Sequence, residues 1–311
     1  MECPKCHYQR QAGDDAPEWQ CPACGIAYQK FCNDAQSSVV IPTVESVDSS
    51  RTNHRFRNIR ILILLMVLLA VAGDAWWTQY RTTSWQQPLQ VVIYPINGDG
   101  SPEALEYIQG FQQGGLLEIE QFMIDEVSRL GLSIKDPLDI HLGPVVGEHP
   151  PPLPTEHSML NSMIWSLKLR YWAGEFDQIA RIDPDIRLFV LYHKSAKGKR
   201  LQHSTGLQKG LIGVVHVFAD SRMESRNNVV IAHEMLHTLG ATDKYDLTTD
   251  QPIYPQGYAE PRQSPRYPQQ FAELMGGKIP QKDGAAKMPD NLAETRVGAT
   301  TAVEIGWAKL R

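Results

Sequence analysis

The densest set of chemically capable side chains is the run His233-Glu234-Met235-Leu236-His237-Thr238-Leu239-Gly240-Ala241-Thr242-Asp243. On a helix, His233 and His237 share one face, about 6 Å apart along the axis. Two imidazoles so placed reach a single Zn²⁺ at about 2.0–2.1 Å. Glu234, beside the first histidine, is placed to take a proton from a water activated by that ion. Gly240 lets the chain leave the helix through a left-handed conformation that a Cβ resists. The turn then returns Asp243 as a third, oxygen ligand. Three protein ligands leave a fourth position open, which separates a catalytic zinc from a structural one. Asp246 and Glu260 are the carboxylates that a wider turn would present instead.

This extended pattern resembles the metzincin clan of zinc peptidases, in the variant where aspartate replaces the third histidine, as in the snapalysin family. Metzincins also carry a methionine in a tight turn beneath the metal. Here Ala272-Glu273-Leu274-Met275-Gly276-Gly277 follows at a suitable distance, with Met275 as the counterpart and two glycines to permit the turn. Aspzincins use a Gly-Thr-x-Asp segment loosely similar to Gly240–Asp243, but well separated from their histidine pair; here it follows the helix directly. The resemblance covers Val229 to Gly277 and implies an α+β domain, a mixed sheet packed with helices. It also implies peptide-bond hydrolysis with Glu234 as general base. In that clan the edge strand before the zinc helix pairs with extended substrate, which makes Leu211–Phe218 the candidate strand, with Leu211, Gly213 and Val215 at the peptide. A tyrosine sometimes assists the oxyanion, and Tyr245, Tyr258 and Tyr267 are candidates.

The elements that must position these residues are legible from pattern. Leu89–Ile96 reads as a strand, Asn97–Pro102 as a turn and helix start, and Glu103–Leu130 as helix with a break at Gly114-Gly115. Leu138–Val146 is a second strand, Gly147–Thr155 a Pro-rich loop, and Glu156–Trp172 a helix with Met159, Met163 and Leu167 on one face. Arg187–His193 and Gly210–Ala219 are further strands, joined by a basic loop with Lys194, Lys197, Lys199 and Arg200. The metal-binding helix is expected to be capped by Asn227 or Asn228. His216 reads as structural, and residues 294–311 as a closing helix.

A second metal site is written at the other end. Cys3-Pro4-Lys5-Cys6 and Cys21-Pro22-Ala23-Cys24-Gly25 form two Cys-x-x-Cys knuckles with fourteen residues between them. Four thiolates at this spacing suit a closed, structural Zn²⁺, and the segment resembles a zinc ribbon, which folds with its metal. His7 stands where glycine is common and reads as a bystander; Cys32 is left over.

From Ile61 to Gly73 the chain is uninterruptedly apolar, and from Ile59 through Trp77 it reaches spanning length. Trp76, Trp77 and Tyr80 form an aromatic belt, while Arg51, Arg55, Arg57 and Arg60 crowd the other flank, placing the amino-terminal side in the cytoplasm. An apolar run beginning at Ile61 does not read as a cleavable signal. All five cysteines precede the apolar run, a division that suits a chain crossing from a reducing to an oxidising side. The organisation expected is therefore a zinc ribbon (1–33), a flexible linker (34–58), a transmembrane helix (59–80) and, after a short stalk, a peptidase domain on the outer side (85–311).

At 311 residues, 42% hydrophobic and 21% charged, the chain is globular, and its net charge of −5 argues against a general nucleic-acid binder. The expected function is a membrane-anchored zinc endopeptidase acting on peptide or protein, with one catalytic and one structural Zn²⁺. The lipid bilayer and a cytoplasmic protein partner of the ribbon are the other partners. The alternative is a metal-stabilised envelope domain that binds or senses without cutting; a third reading, compatible with peptidase activity, is a signalling protein whose cytoplasmic ribbon reports on the outer domain.

Overall fold

The computed structural model describes residues 1–3, 5–28, 49–154, 158–176, 183–196, 201–202, 204–208 and 210–308. Cys32, the expected linker up to residue 48, and Lys197, Lys199 and Arg200 of the basic loop lie outside them. The chain divides into two compact units, Met1–Met66 and Val67–Arg311.

In the first unit the two knuckles repeat one another. Cys3 N–H donates to Tyr8 and Cys21 N–H to Ile26, while His7 and Gly25 donate back to the carbonyls of Cys3 and Cys21. His7 and Gly25 both take left-handed backbone, φ 57° and 70°, so His7 occupies a glycine-type position at a conformational cost. Its ring turns to Glu2, 3.1 Å away. Cys3, Cys21 and Tyr28 make the small core, with Tyr8 and Ile26 against it. So little apolar surface cannot hold a fold unaided.

A helix, α1, runs from Ser49 to Ser84 and takes in residues 49–58, which the sequence reads as linker. Within it the stretch Phe56–Gly73 is long and apolar enough to cross a membrane, and none of it is buried. The carboxy-terminal part of α1, from Val67, belongs to the second unit. Trp85 breaks the helix with φ 48°. Its indole N–H donates to the Ile305 carbonyl at 2.7 Å, and its ring meets Trp307 edge-on at 5.4 Å.

The second unit is built on β1 (Leu89–Asn97), α2 (Pro102–Gly110), α3 (Leu117–Leu130), β2 (Leu138–Leu142), α4 (Met159–Gly174), β3 (Ile186–Lys194), β4 (Thr205–Leu207), β5 (Ile212–Ala219) and α5 (Glu224–Thr238). Among the described residues the main sheet has the order β2-β1-β3-β5-β4. The first four strands are parallel, and β4 lies antiparallel on β5. The fold is thus α+β with a mixed sheet between helices. β1 and β3 are buried on both faces, which is why they read as continuous apolar runs rather than alternating ones.

One face, carrying Val91, Ile93, Leu188, Val190, Val215 and Val217, packs on α2, α3 and α5. The other, carrying Tyr94, Phe189, Leu191 and Val214, packs on α4 through Trp165, Leu169, Trp172 and Ala173. The common face of Met159, Met163 and Leu167 therefore points outward, and aromatic residues on the opposite side make the core contact. The periodicity was ambiguous because both sides of α4 are apolar.

After α5 come short pairs: β6 (Tyr245–Asp246) with β7 (Gln251–Pro252), β8 (Ala272–Glu273) with β11 (Thr295–Arg296), and β9 (Ile279–Lys282) with β10 (Ala285–Lys287). The closing helix α6 spans Ala299–Glu304, shorter than expected.

Candidate metal centre

The helix carrying the histidines begins at Glu224, after a 3₁₀ turn whose cap is Asp220, accepting from Arg222 N–H at 3.0 Å. Asn227 and Asn228 are not the cap. Asn227 bonds both the carbonyl and the amide of Phe218, tying α5 to the end of β5, and Asn228 donates to Gly115 and Glu118. Both are one turn inside the helix, where an amide side chain serves tertiary contacts instead.

At the far end, Ala241 N–H donates to Leu236 and Gly240 adopts φ 104°, so the chain reverses as the glycine requires. His233 Nε2 and His237 Nε2 lie 3.1 Å apart, and Asp243 Oδ1 lies 3.2 and 3.1 Å from them. Three ligand-type atoms thus form a nearly equilateral triangle. Asp246 instead accepts from the amides of Thr248 and Thr249, capping its own turn, and Glu260 accepts from Gln270 N–H. Glu234 is buried, and one of its oxygens lies within 4.8 Å of a ring nitrogen of each histidine.

The outer nitrogens settle what this triangle presents. His233 Nδ1 is 2.9 Å from the Leu274 carbonyl, and His237 Nδ1 is 2.8 Å from the Ala241 carbonyl. A carbonyl only accepts, so each Nδ1 carries the hydrogen and each neutral ring offers a lone pair at Nε2. Two lone pairs and a carboxylate oxygen therefore converge, an arrangement that repels itself unless a cation sits among them. Burial lowers the His233 pKa, but Asp243, Glu234 and the Leu274 carbonyl outweigh it and raise the net value. Burial opposes ionisation of Asp243 too, yet the two imidazoles hold its carboxyl well below the usual carboxylate range. Ligands at about 2.0–2.1 Å from a tetrahedral ion are about 3.3 Å apart, close to the edges found here. The residues fit Zn²⁺.

Supporting groups hold the triangle, and most were invisible in the sequence. Met275 is fully buried in the 3₁₀ turn Leu274–Gly276, under α5. That turn's backbone does the positioning: Leu274 orients His233, and the Met275 carbonyl accepts from Lys244 N–H at 2.8 Å, beside Asp243. Glu273, fully buried, braces the turn by accepting from Gly276 N–H (2.7 Å), Gly298 N–H (3.0 Å) and Thr301 Oγ1–H (2.6 Å). Lys244 Nζ donates to Glu304 at 2.7 Å and to the Thr242 carbonyl at 2.6 Å, and Glu304 also accepts from Thr242 N–H and Oγ1–H. The loop carrying Asp243 is thereby pinned to α6.

The expected substrate strand needs correction. β5 is not the sheet edge: Gly213 is paired with Leu188 on one side and Gly206 on the other. Val215 is fully buried and Leu211 nearly so. The edge is β4, and it lies against α5. A Cβ on Gly206 would come within 2.5 Å of His237 Cβ and 2.7 Å of the Glu234 carbonyl. Only glycine lets the strand approach this closely. A three-residue strand leaves too little periodicity to be read in advance. Of the tyrosines, Tyr245 sits by the triangle, its ring 6.3 Å from that of His233. The hydroxyls of Tyr258 and Tyr267 bond one another at 3.0 Å.

In the first unit Cys3 Sγ–Cys24 Sγ and Cys6 Sγ–Cys21 Sγ are both 3.7 Å, and all four sulfurs lie within 4.8 Å of one another. Thiolates at about 2.3 Å from a tetrahedral zinc are about 3.8 Å apart. The four fit a closed site with no position left for substrate.

No family model matches the chain, and no curated protein matches it. Similar solved structures include catalytically inactive OgpA from Akkermansia muciniphila in complex with an O-glycopeptide (glycodrosocin) substrate, at 14% identity and TM-score 0.33 over 70% of this chain and 59% of that one. Wild-type OgpA from the same organism matches at 14% identity and TM-score 0.31, over 70% of this chain and 60% of that one. The chain spans about three fifths of the length of these proteins.

Proposed function

We propose that this chain is a membrane-anchored zinc endopeptidase of the metzincin type. Residues 1–33 form a cytoplasmic zinc ribbon, α1 spans the bilayer, and residues 85–311 form the peptidase on the outer side. The observation that carries the reading is the triangle of His233 Nε2, His237 Nε2 and Asp243 Oδ1, with both outer imidazole nitrogens committed to carbonyls.

His233, His237 and Asp243 would hold the zinc, which supplies Lewis acidity toward water and the scissile carbonyl. Glu234 accepts the proton of the attacking water and passes it to the departing amine. Tyr245 stands nearest to steady the oxyanion. The edge of β4 offers backbone N–H and C=O groups to an extended peptide, so substrate lies beside Gly206 and across the metal helix. Support for that path is the contact of Gly206 with His237 and Glu234.

The test is metal analysis and peptide-library digestion of the full chain and of Glu234→Gln. The full chain should carry zinc and cleave, with loss on chelation and recovery on zinc addition. Glu234→Gln should keep its zinc and lose turnover by about 10²-fold or more. Undiminished cleavage by that variant removes the general base, and zinc without any cleavage favours a binding or sensing domain.

A further inference from the structure

The helix α4 separates the sheet from whatever lies outside it, and its outer side is unusually apolar. Leu160, Met163, Ile164, Leu167 and Tyr171 are between 43% and 78% exposed. Their spacing at i, i+3, i+4, i+7 and i+11 makes one continuous stripe, about 16 Å long. The stripe lies opposite the Trp165, Leu169, Trp172 and Ala173 face that packs on the sheet. Lys168 and Arg170 flank it on its two sides. An apolar stripe bordered by basic residues and bearing an aromatic ring has the composition of a helix lying in a membrane interface.

The position of α4 names the occupant. Its last turn meets the end of α1 at a cavity of about 500 Å³, lined by Trp77, Arg81, Arg170, Gly174, Asp185 and Arg187 among others. Arg81 is paired with Asp185 at 3.0 Å. The Tyr171 end of the stripe therefore adjoins the turn that meets the end of α1, and three arginines, Arg81, Arg170 and Arg187, stand at this junction, where lipid phosphates would lie. Trp85 fixes this junction through Ile305 and Trp307, with no slack between α1 and the domain.

We infer that the outer face of α4 docks on the bilayer, sunk to the headgroup–acyl boundary, as a second membrane contact beside α1. This rests on the proposed spanning role of α1. Its consequence is orientation. The metal helix α5 packs on the opposite face of the sheet from α4, so the candidate metal centre is turned away from the lipid toward the aqueous side.

The test places a photoreactive benzoylphenylalanine, one at a time, at positions 65, 164, 167 and 247 of the full chain. The chains are reconstituted in phosphatidylcholine vesicles with and without phosphatidylglycerol. Positions 164 and 167 should form phospholipid adducts, as should position 65 in α1, while position 247, exposed near the metal loop, should form none. In the pair Met163→Glu/Leu167→Glu, lipid adducts from position 164 should fall at least tenfold, as expected when two apolar side chains no longer partition, while those from position 65 persist. Adducts at 65 but not at 164 or 167 overturn the docking alone, as do protein–protein adducts there, which would make the stripe an interface between copies. Absence of lipid adducts at 65 as well overturns the anchor and the docking together.

Discussion

Gly206→Ala isolates the contact between β4 and the helix that carries His233 and His237. The added Cβ would sit 2.5 Å from His237 Cβ and 2.7 Å from the Glu234 carbonyl, whereas ordinary contact begins near 3.4 Å. Strand β4 or the helix must therefore retreat by about 0.9 Å, the difference between 3.4 and 2.5 Å. Neither obstacle is a flexible side-chain end that could swing aside. Overpacking of this kind costs about 1–3 kcal/mol. β4 has only three register pairs to β5, at Thr205, Gly206 and Leu207, so the strand yields before the helix. Because the strand borders the proposed peptide path, a displacement near 1 Å should lower kcat/KM by about 10²-fold. The assay is urea denaturation together with peptide cleavage and zinc content. Gly213→Ala is the control: its Cβ would meet the tip of Leu188 at 2.6 Å, a side chain able to rotate, so the cost should be smaller. Native stability and cleavage in Gly206→Ala would refute the steric argument.

Three further outcomes are expected. Lys244→Met leaves Glu304 facing Thr242 alone, and should cost about 2–3 kcal/mol and weaken zinc affinity about tenfold, measured by denaturation and competitive chelation. Burial, then His193 and His149, push the pKa of His216 down from 6.5 to about 4. Over that window the unfolded chain binds the extra proton, so stability falls as pH drops from 6.5 toward 4; His216→Gln should flatten this limb in pH-dependent urea titrations. Chelation, or Cys6→Ser, should unfold residues 1–28 and leave the melting of the second unit unchanged once its own zinc is restored, followed by amide exchange.

What was legible in the sequence was chiefly what depends on neighbours along the chain. His233 and His237 meet because helix pitch puts them together, and Gly240 turns Asp243 back within three residues. The same holds for the cysteine knuckles, where local hydrogen bonds set the geometry. Strands β1, β3 and β5 were legible because burial on both faces leaves an unbroken apolar signature. What could not be read was long-range. Glu304 and Glu273 hold the site from sixty residues and from a separate turn, and nothing in their own surroundings marks them. β4 is too short to show a period. α4 showed a real apolar face, but a face cannot say whether protein, lipid or solvent lies against it. Asn227 and Asn228 have capping chemistry that tertiary partners claimed first.

The latch formed by Trp85 with Ile305 and Trp307 has a consequence for how the fold is completed. Glu304, which fastens the Asp243 loop, ends the short helix α6, and Ile305 and Trp307 just beyond it close over Trp85. The tryptophan that follows α1 must wait for a segment more than two hundred residues later before it is covered. Until that segment arrives, the loop carrying Asp243 lacks its tie to Glu304. A nascent or truncated molecule would thus carry the His233–His237–Asp243 triangle unfinished, and the proposed activity would come only with closure of the ring.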